Sequence, residues 1–470
     1  MPQEECKEKI LSEEYRDFMM RDTGVLGENF PLENGCRIPL KYGFELLYID
    51  QSEDRKKSLA DYPYTMVPKC YTTLDMAAIQ QAGIAAVQNL PGLELSGEGV
   101  LVGIIDTGIN YLDPIFRNLD GSTRIQRIWD QEEQSGTAPR GIGYGSEYTK
   151  EQINQAILSE NPKETVPSFD TDGHGTFVAS VACGGANPEN LFIGAAPEAE
   201  MVIVKLKEAK EYLREYYFVD RDAGCYQEND LVAAVFYLQK VQEELKRPLV
   251  ICLAVGTSFG GHGGYSILSE YLQNVAASEG IGIVTGSGNE ADKRHHYLGI
   301  LEQENNLPVE INVGNNTRGF VMELWTELPN LLALSIASPT GQTVGPISLK
   351  RGIGEYVFVF EQTRVIFNYR VLVETTGAQL AFFQFDRPGS GIWKIIPETL
   401  ELGNGIFHIW LPMEEFLTGN VYFIRAKGIP GRWSVQRTIM ERKIALQSVR
   451  EEVILEITES NRILLRRGSM

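Results

Sequence analysis

No run in the 470 residues reaches the roughly 20 consecutive apolar side chains that a membrane-spanning helix needs. A basic excess is also missing: 43 Lys and Arg face 63 Asp and Glu, for a formal charge of -20. Phosphate backbones are held by clustered cations, so this balance excludes non-specific nucleic-acid binding and reads as solubility. Cysteine is scarce. Cys6, Cys36, Cys70, Cys183, Cys225 and Cys252 are scattered without paired ligand spacing, which reads as reduced thiols rather than a disulfide framework or a zinc site. The opening MPQEECKEKILSEEYRDFMM lacks the basic start and apolar core of a secretory signal. The expected setting is therefore cytoplasmic or, in a spore former, spore-associated.

With 43% apolar and 23% charged residues, the chain has the balance of a globular protein of two or three domains. Residues 1–61 read as a small N-terminal α/β unit: a helical opening, a turn near Gly35, and RIPLKYGFELLYI as a strand. Over 62–300 apolar strands (GVLVGIID, MVIVKL, LVICLAV, IGIVTG) alternate with helices (HGTFVASVAC, NDLVAAVFYLQKVQEEL, SILSEYLQNVAASEG). That alternation predicts a mostly parallel sheet with helices on both faces, and ligands beyond the carboxyl ends of its strands. From 301 to 425 the helical period gives way to short strands between turn residues, the pattern of an antiparallel sandwich. Residues 426–470 form an atypical tail: no glycine occurs from Arg432 to Arg467 in a chain with 46, and RTIMERKIALQSVREEVILEI has a helical period.

Three polar residues stand out in the parallel region. Asp106 closes the strand LVGIID and is followed by a Thr-Gly turn. His174 opens a helix in DTDGHGTFVASVAC, where flanking glycines let another backbone approach the imidazole. An Asp on a strand end facing a His on a helix start is what a charge-stabilised general base requires. Asn289, in IVTGSGNE, is a side-chain amide placed to donate to a developing oxyanion. Taken singly, each has a plainer reading: a cap or turn Asp, a structural His, a turn Asn.

Together, IIDTGIN, DGHGTFVAS and GSGNE resemble the Asp, His and oxyanion-Asn blocks of the subtilisin-like serine proteases, family S8, over about Tyr71 to Asp292. GIAAVQNLPGLELSGEGVLVGIIDTGINYLDPIF and DGSTRIQRIWDQ are similar to the Csp-type germination proteases of spore formers. The resemblance implies that residues 1–61 are a prodomain-like folding chaperone and that 301–425 is a jelly-roll insertion. It implies that Asp106 orients the imidazole, His174 is the base and Asn289 holds the oxyanion. By the same resemblance Ala254, Val255 and Gly256 pair with an extended protein or peptide substrate by β-augmentation, and Gly286, Ser287 and Gly288 line the pocket for its side chain. Ala254 stands where the family commonly has Ser. No cofactor is evident. The family leaves calcium open, no metal ligands are assigned, and the oligomeric state is not legible.

The family's Gly-Thr-Ser-x-Ala block does not occur in the 470 residues; the one GTS, at Gly256 to Ser258, precedes Asn289 and lacks the Ala. Joining the last base of each codon to the first two of the next permits GYTRNNRIKPDFAAPG from Glu452 and VGATYNNG from Trp433. Both resemble subtilase sequence that precedes the catalytic serine. The expectation is a reading frame lost between about Arg425 and Trp433. It is also a serine-type endopeptidase by family, inactive as this chain, with a signalling pseudoprotease of spore germination as the alternative.

Overall fold

The computed structural model describes residues 3–21, 35–54, 58–73, 84, 88, 95–186, 192–286, 288–290, 293–301, 308–347, 352–370, 372–373, 377–424, 453–458 and 462–467. A helix over Gln3–Leu11 leads into β1 (Tyr15–Arg21), β2 (Cys36–Pro39) and β3 (Phe44–Asp50), which form an antiparallel sheet in the order β1-β3-β2. The expected single strand RIPLKYGFELLYI is thus a hairpin. Pro39 ends β2, and Tyr42 (φ 61°) and Gly43 (φ 74°) turn the chain back on itself, a turn that a continuous strand cannot contain. The reading of every cysteine as a free thiol is corrected as well. Cys6 and Cys36 form a disulfide with their Cα atoms 5.5 Å apart, because β2 packs under the first helix and brings together residues 30 apart in sequence. Cys70, Cys183, Cys225 and Cys252 are free.

A short strand β4 (Cys70–Thr73) precedes the central sheet. That sheet is built from β5 (Leu101–Asp106), β6 (Ile125–Asp130), β7 (Ser146–Thr149) and β8 (Glu200–Lys205). After β9 (Tyr226–Gln227) it is completed by β10 (Leu249–Leu253) and, beyond β11 (Val255–Gly256), by β12 (Ile281–Thr285). The order is β12-β10-β5-β8-β6-β7, parallel except for the β6–β7 pair, so the mostly parallel α/β class holds. Alternate residues of β5 point to opposite faces: Leu101 and Ile105 pack with the helices Glu228–Leu245 and Ile267–Ala276, while Val102 and Ile104 pack with His174–Cys183. Gly103 lets the Glu228–Leu245 helix come close, since a Cβ there would lie 2.6 Å from Leu238 Cδ1.

The remaining strands are antiparallel. They are β13 (His296–Ile300), β14 (Val309–Val313), β15 (Gly319–Glu327), β16 (Leu331–Ala337), β17 (Thr343–Ile347), β18 (Ile353–Phe358), β19 (Thr363–Arg370), β20 (Ala378–Asp386), β21 (Gly391–Glu401), β22 (Ile406–Trp410) and β23 (Val421–Phe423). They form two sheets, β13-β22-β15-β20-β19-β18 and β17-β16-β21-β14-β23, whose inner faces share one aromatic-rich core that includes Phe320, Phe358, Phe385 and Trp393. Of the tail, residues 425–452 lie outside the described residues. The expected helix does not extend over its last part: β24 (Val453–Thr458) and β25 (Arg462–Arg467) pair antiparallel, and VILEIT is β-branched at four of six positions.

Buried charge joins the N-terminal sheet to the parallel region. Asp17 of β1 is fully buried, and its carboxylate accepts from Lys210 Nζ at 2.5 Å, Gln227 Nε2 at 2.7 Å and Asn229 Nδ2 at 3.1 Å. Lys207 pairs with Asp230 at 2.6 Å beside it. Burial lowers the Lys210 pKa, and Asp17 is the main opposing influence. Asp17→Ala strands that ammonium, so urea unfolding is expected to show a loss of about 3–5 kcal/mol. A loss under about 1 kcal/mol would mean that the pair does not hold the unit.

Candidate active site

The elements that carry Asp106 and His174 are locked together by backbone and hydroxyl contacts. Asp106 ends β5; Thr107 and Gly108 then turn the chain. Gly173 (φ 97°) caps the His174–Cys183 helix in a left-handed conformation that a side chain would strain. Gly175 N donates to Thr107 Oγ1 at 2.8 Å, and a Cβ on Gly175 would meet Gly108 O at 2.3 Å. The glycine after the histidine therefore allows the helix start to sit against the turn after β5.

The result is a direct hydrogen bond, His174 Nδ1 to Asp106 Oδ1, at 2.7 Å. Asp106 is fully buried, whereas 16% of the His174 side chain remains exposed. Thr107 N also donates to Oδ1 at 2.7 Å, and Oδ2 is sealed from solvent with no hydrogen-bond partner among the described residues. Burial raises the Asp106 pKa; the hydrogen bond and charge of His174 and the Thr107 amide partly offset it. Chemically this is a carboxylate that orients an imidazole through one of its nitrogens.

Sequence reasoning missed Asp170. Its Oδ1 accepts from Thr107 Oγ1 at 2.9 Å and Gly173 N at 2.8 Å, and its Oδ2 from Thr176 N at 2.8 Å and Thr176 Oγ1 at 2.6 Å. Burial works against its charge, but the bonds from Thr176, Gly173 and Thr107 win and hold its pKa below the usual carboxylate value. The signal was present in DTDGHG: an Asp four residues before the His can cap the helix start.

The other expected site residues fall on the same edge of the sheet. Asn289 lies half-buried beyond the end of β12, two strands from β5 in the sheet order. Ala254 is buried and follows β10. Gly286 N donates to Leu253 O at 3.3 Å, Gly288 has φ 90°, and Ser287 lies outside the described residues. Val255 and Gly256 form β11, which pairs antiparallel with β4 through Val255↔Thr73 and Gly256↔Thr72. On its other edge β4 pairs with β9 through Cys70↔Gln227 and Tyr71↔Tyr226. The strand expected to receive an extended substrate thus already carries an extended segment of its own chain. Ser258 of the GTS triplet is 1% exposed. Among the described residues, no three or more His, Cys, Asp or Glu are grouped to hold a metal, and no helix is long and apolar enough to cross a membrane.

A family model described as "Subtilase family" matches residues 97–335, just over half of the chain. The chain is 33% identical over 102 residues to a subtilisin-like protease of Arabidopsis thaliana, which covers 20% of this chain and 12% of that protein. It is 25% identical over 218 residues to the subtilisin of Bacillus sp. (strain TA39), covering 46% of this chain and 40% of the other. The chain thus spans well under two thirds of the curated relatives it matches. The structure is similar to that of the CspB protease of Clostridium perfringens, with TM-score 0.63, 26% identity and 82% of each chain covered.

A buried carboxylate with a raised pKa stabilises the fold below its ordinary pKa and costs stability once ionised, as pH rises through its folded value. Thermal melts of Asp106→Asn should therefore gain on the parent at pH 7 relative to pH 4, because only the parent carries the ionised group at neutral pH. A gap between the two melts that does not change with pH would contradict this account.

Proposed function

The chain belongs to the subtilase family, and from that membership we propose that its site performs serine-type peptide-bond chemistry on an extended protein or peptide. The observation that carries the reading is the 2.7 Å contact between His174 Nδ1 and Asp106 Oδ1, made by a strand end and a helix start locked through Thr107, Asp170 and Gly175. In this reading Asp106 fixes the imidazole with Nδ1 protonated, and His174 Nε2 takes the proton of an attacking serine hydroxyl. The proton then passes to the leaving amine, and water resolves the acyl-enzyme by the same base. Asn289 donates to the oxyanion, a contribution of about 10²–10³ in rate. Ala254, Val255 and Gly256 pair with the substrate backbone, and Gly286 to Gly288 form the wall of the side-chain pocket.

The place of β4 between β9 and β11 supports the substrate-strand assignment, because it shows that this edge accepts an antiparallel partner. The same observation favours a second reading: a strand whose edge is already paired by the chain's own β4 suits a binding or signalling pseudoprotease. The serine itself must come from a Gly-Thr-Ser-x-Ala segment, which the 470 residues do not contain.

A fluorophosphonate probe separates the readings, since it labels only a serine activated by an imidazole. The 470-residue chain should remain unlabelled. A chain that carries the serine segment should label, and His174→Ala should reduce that labelling at least about 100-fold. Labelling of the 470-residue chain at Ser258 would overturn the assignment, and no labelling with the serine segment present would favour the pseudoprotease.

A further inference from the structure

Three of the chain's five histidines meet at one place outside the Asp106–His174 pair. His262, in the loop after β11, lies flat on the Trp410 indole of β22, 3.7 Å between centroids and 8° from parallel. His296, the first residue of β13, lies on the same indole at 3.7 Å and 14°. Two rings that close to one indole cannot share a face, so Trp410 is sandwiched between an imidazole from the parallel region and one from the β-sandwich. His296 Nε2 and His408 Nδ1 share a hydrogen bond at 2.9 Å.

The surroundings tie this stack to both loops of the candidate site. Glu323 of β15 sits opposite Trp410, is fully buried, and accepts from Gly260 N at 3.0 Å, two residues before His262. It also accepts from Trp325 Nε1 at 3.0 Å and from the Tyr64 hydroxyl. Glu327 of β15 acts on His408 as a favourable charge. Between Asn289 and β13, Glu290 pairs with His295 at 2.5 Å, and Lys293 pairs with Glu414. Among the described residues, the charged groups on the elements that carry and flank the stack are thus Glu323 and Glu327 of β15, Glu290 and Lys293 before β13, and Glu414 after β22.

We propose that the His262–Trp410–His296 stack is a proton-released latch that holds the loop after β11 to the β-sandwich, so that mild acid frees that loop from Trp410. An imidazolium is attracted to an indole face, so it is the burial of the rings, and of an N–H that would lack an acceptor, that favours the neutral form in the stack. The three histidines are half-buried by area, but His262 and His296 each cover a face on the indole, and His262 Nδ1 is sealed from solvent without a hydrogen-bond partner among the described residues. Burial, reinforced by His408 and only partly opposed by the Gly260 backbone, lowers the pKa of His262 to about 3; burial, reinforced by His408 and His262, lowers that of His296 to about 2, and burial lowers that of His408 as well.

The sign follows from linkage. A freed imidazole titrates near its ordinary value of about 6.5, so below that pH the open form binds protons that the closed form does not, and closure weakens as pH falls. At pH 5.5 this is about tenfold in the opening equilibrium for each imidazole kept neutral, about a hundredfold for His262 and His296 together. Glu323 works in the opposite direction: burial raises its pKa, so the closed form takes up its proton first. That contribution is common to the parent and to the variants below, and it cancels in their comparison.

The test is amide hydrogen exchange of residues 257–264 in the 470-residue chain and in the double variant His262→Phe, His296→Phe, which keeps two flat rings on the indole. The ratio of parent to variant opening should rise about a hundredfold between pH 7.5 and pH 5.5. A ratio that stays constant overturns the latch. As a second measurement, NMR titration of the parent should show His262 and His296 remaining neutral until the loop amides lose protection; either ring charging while the loop stays protected also overturns it. Neither readout involves catalysis, so failure of the latch and failure of the peptidase reading are told apart.

Discussion

The carboxylate of Asp106 is the constraint around which the site is arranged. A charge at the end of a buried strand is costly unless it is met by hydrogen bonds, and here one oxygen accepts from His174 and Thr107 while the other accepts from none of the described residues. Keeping that arrangement requires the helix start to approach the β5 turn within backbone contact. Gly175 permits the approach, and Asp170 with Thr107 and Thr176 holds it. Removing the side chain from Gly175 is thus as much a part of the site as placing an imidazole on His174.

Elsewhere the chain uses the same device, a buried carboxylate that collects donors from separate elements. Asp17 draws Lys210, Gln227 and Asn229 onto the N-terminal sheet. Glu323 draws Tyr64 and Gly260 onto β15 and also accepts from Trp325 of the same strand, so one side chain joins the segment before β4 and the loop after β11 to the β-sandwich. A chain with 63 acidic residues can therefore have a large negative charge outside and still use carboxylates inside, provided each is met by several donors. The two kinds of acid do different work. The exposed ones set the negative charge of the surface, while the buried ones fix how its parts meet.

Much of this was legible in the sequence where the signal is local. The strand ending at Asp106, the glycines around His174 and the alternation of apolar strands with helices each sit within a dozen residues, and the parallel sheet and the Asp–His pair follow from them. What was not legible depends on pairing between distant segments. Nothing in CYTT marks it as the partner of Val255 and Gly256, and nothing in scattered cysteines marks Cys6 for Cys36. Nor does Glu323, in GFVMELWTE, differ on paper from any strand glutamate, because its burial comes from what covers β15. The tail shows the limit of a local signal: RTIMERKIALQSVREEVILEI has a helical period, yet its last residues lie in VILEIT, a strand paired with RILLRR.

The account stands on His174 being held through Nδ1 by Asp106, and this can be observed without any catalytic step. A low-field proton NMR resonance correlated to the His174 Nδ1 nitrogen, present in the parent and in Ser258→Ala but lost in Asp106→Ala, is the result expected. A His174 protonated at Nε2 alone, or a signal indifferent to Asp106, would contradict the central claim.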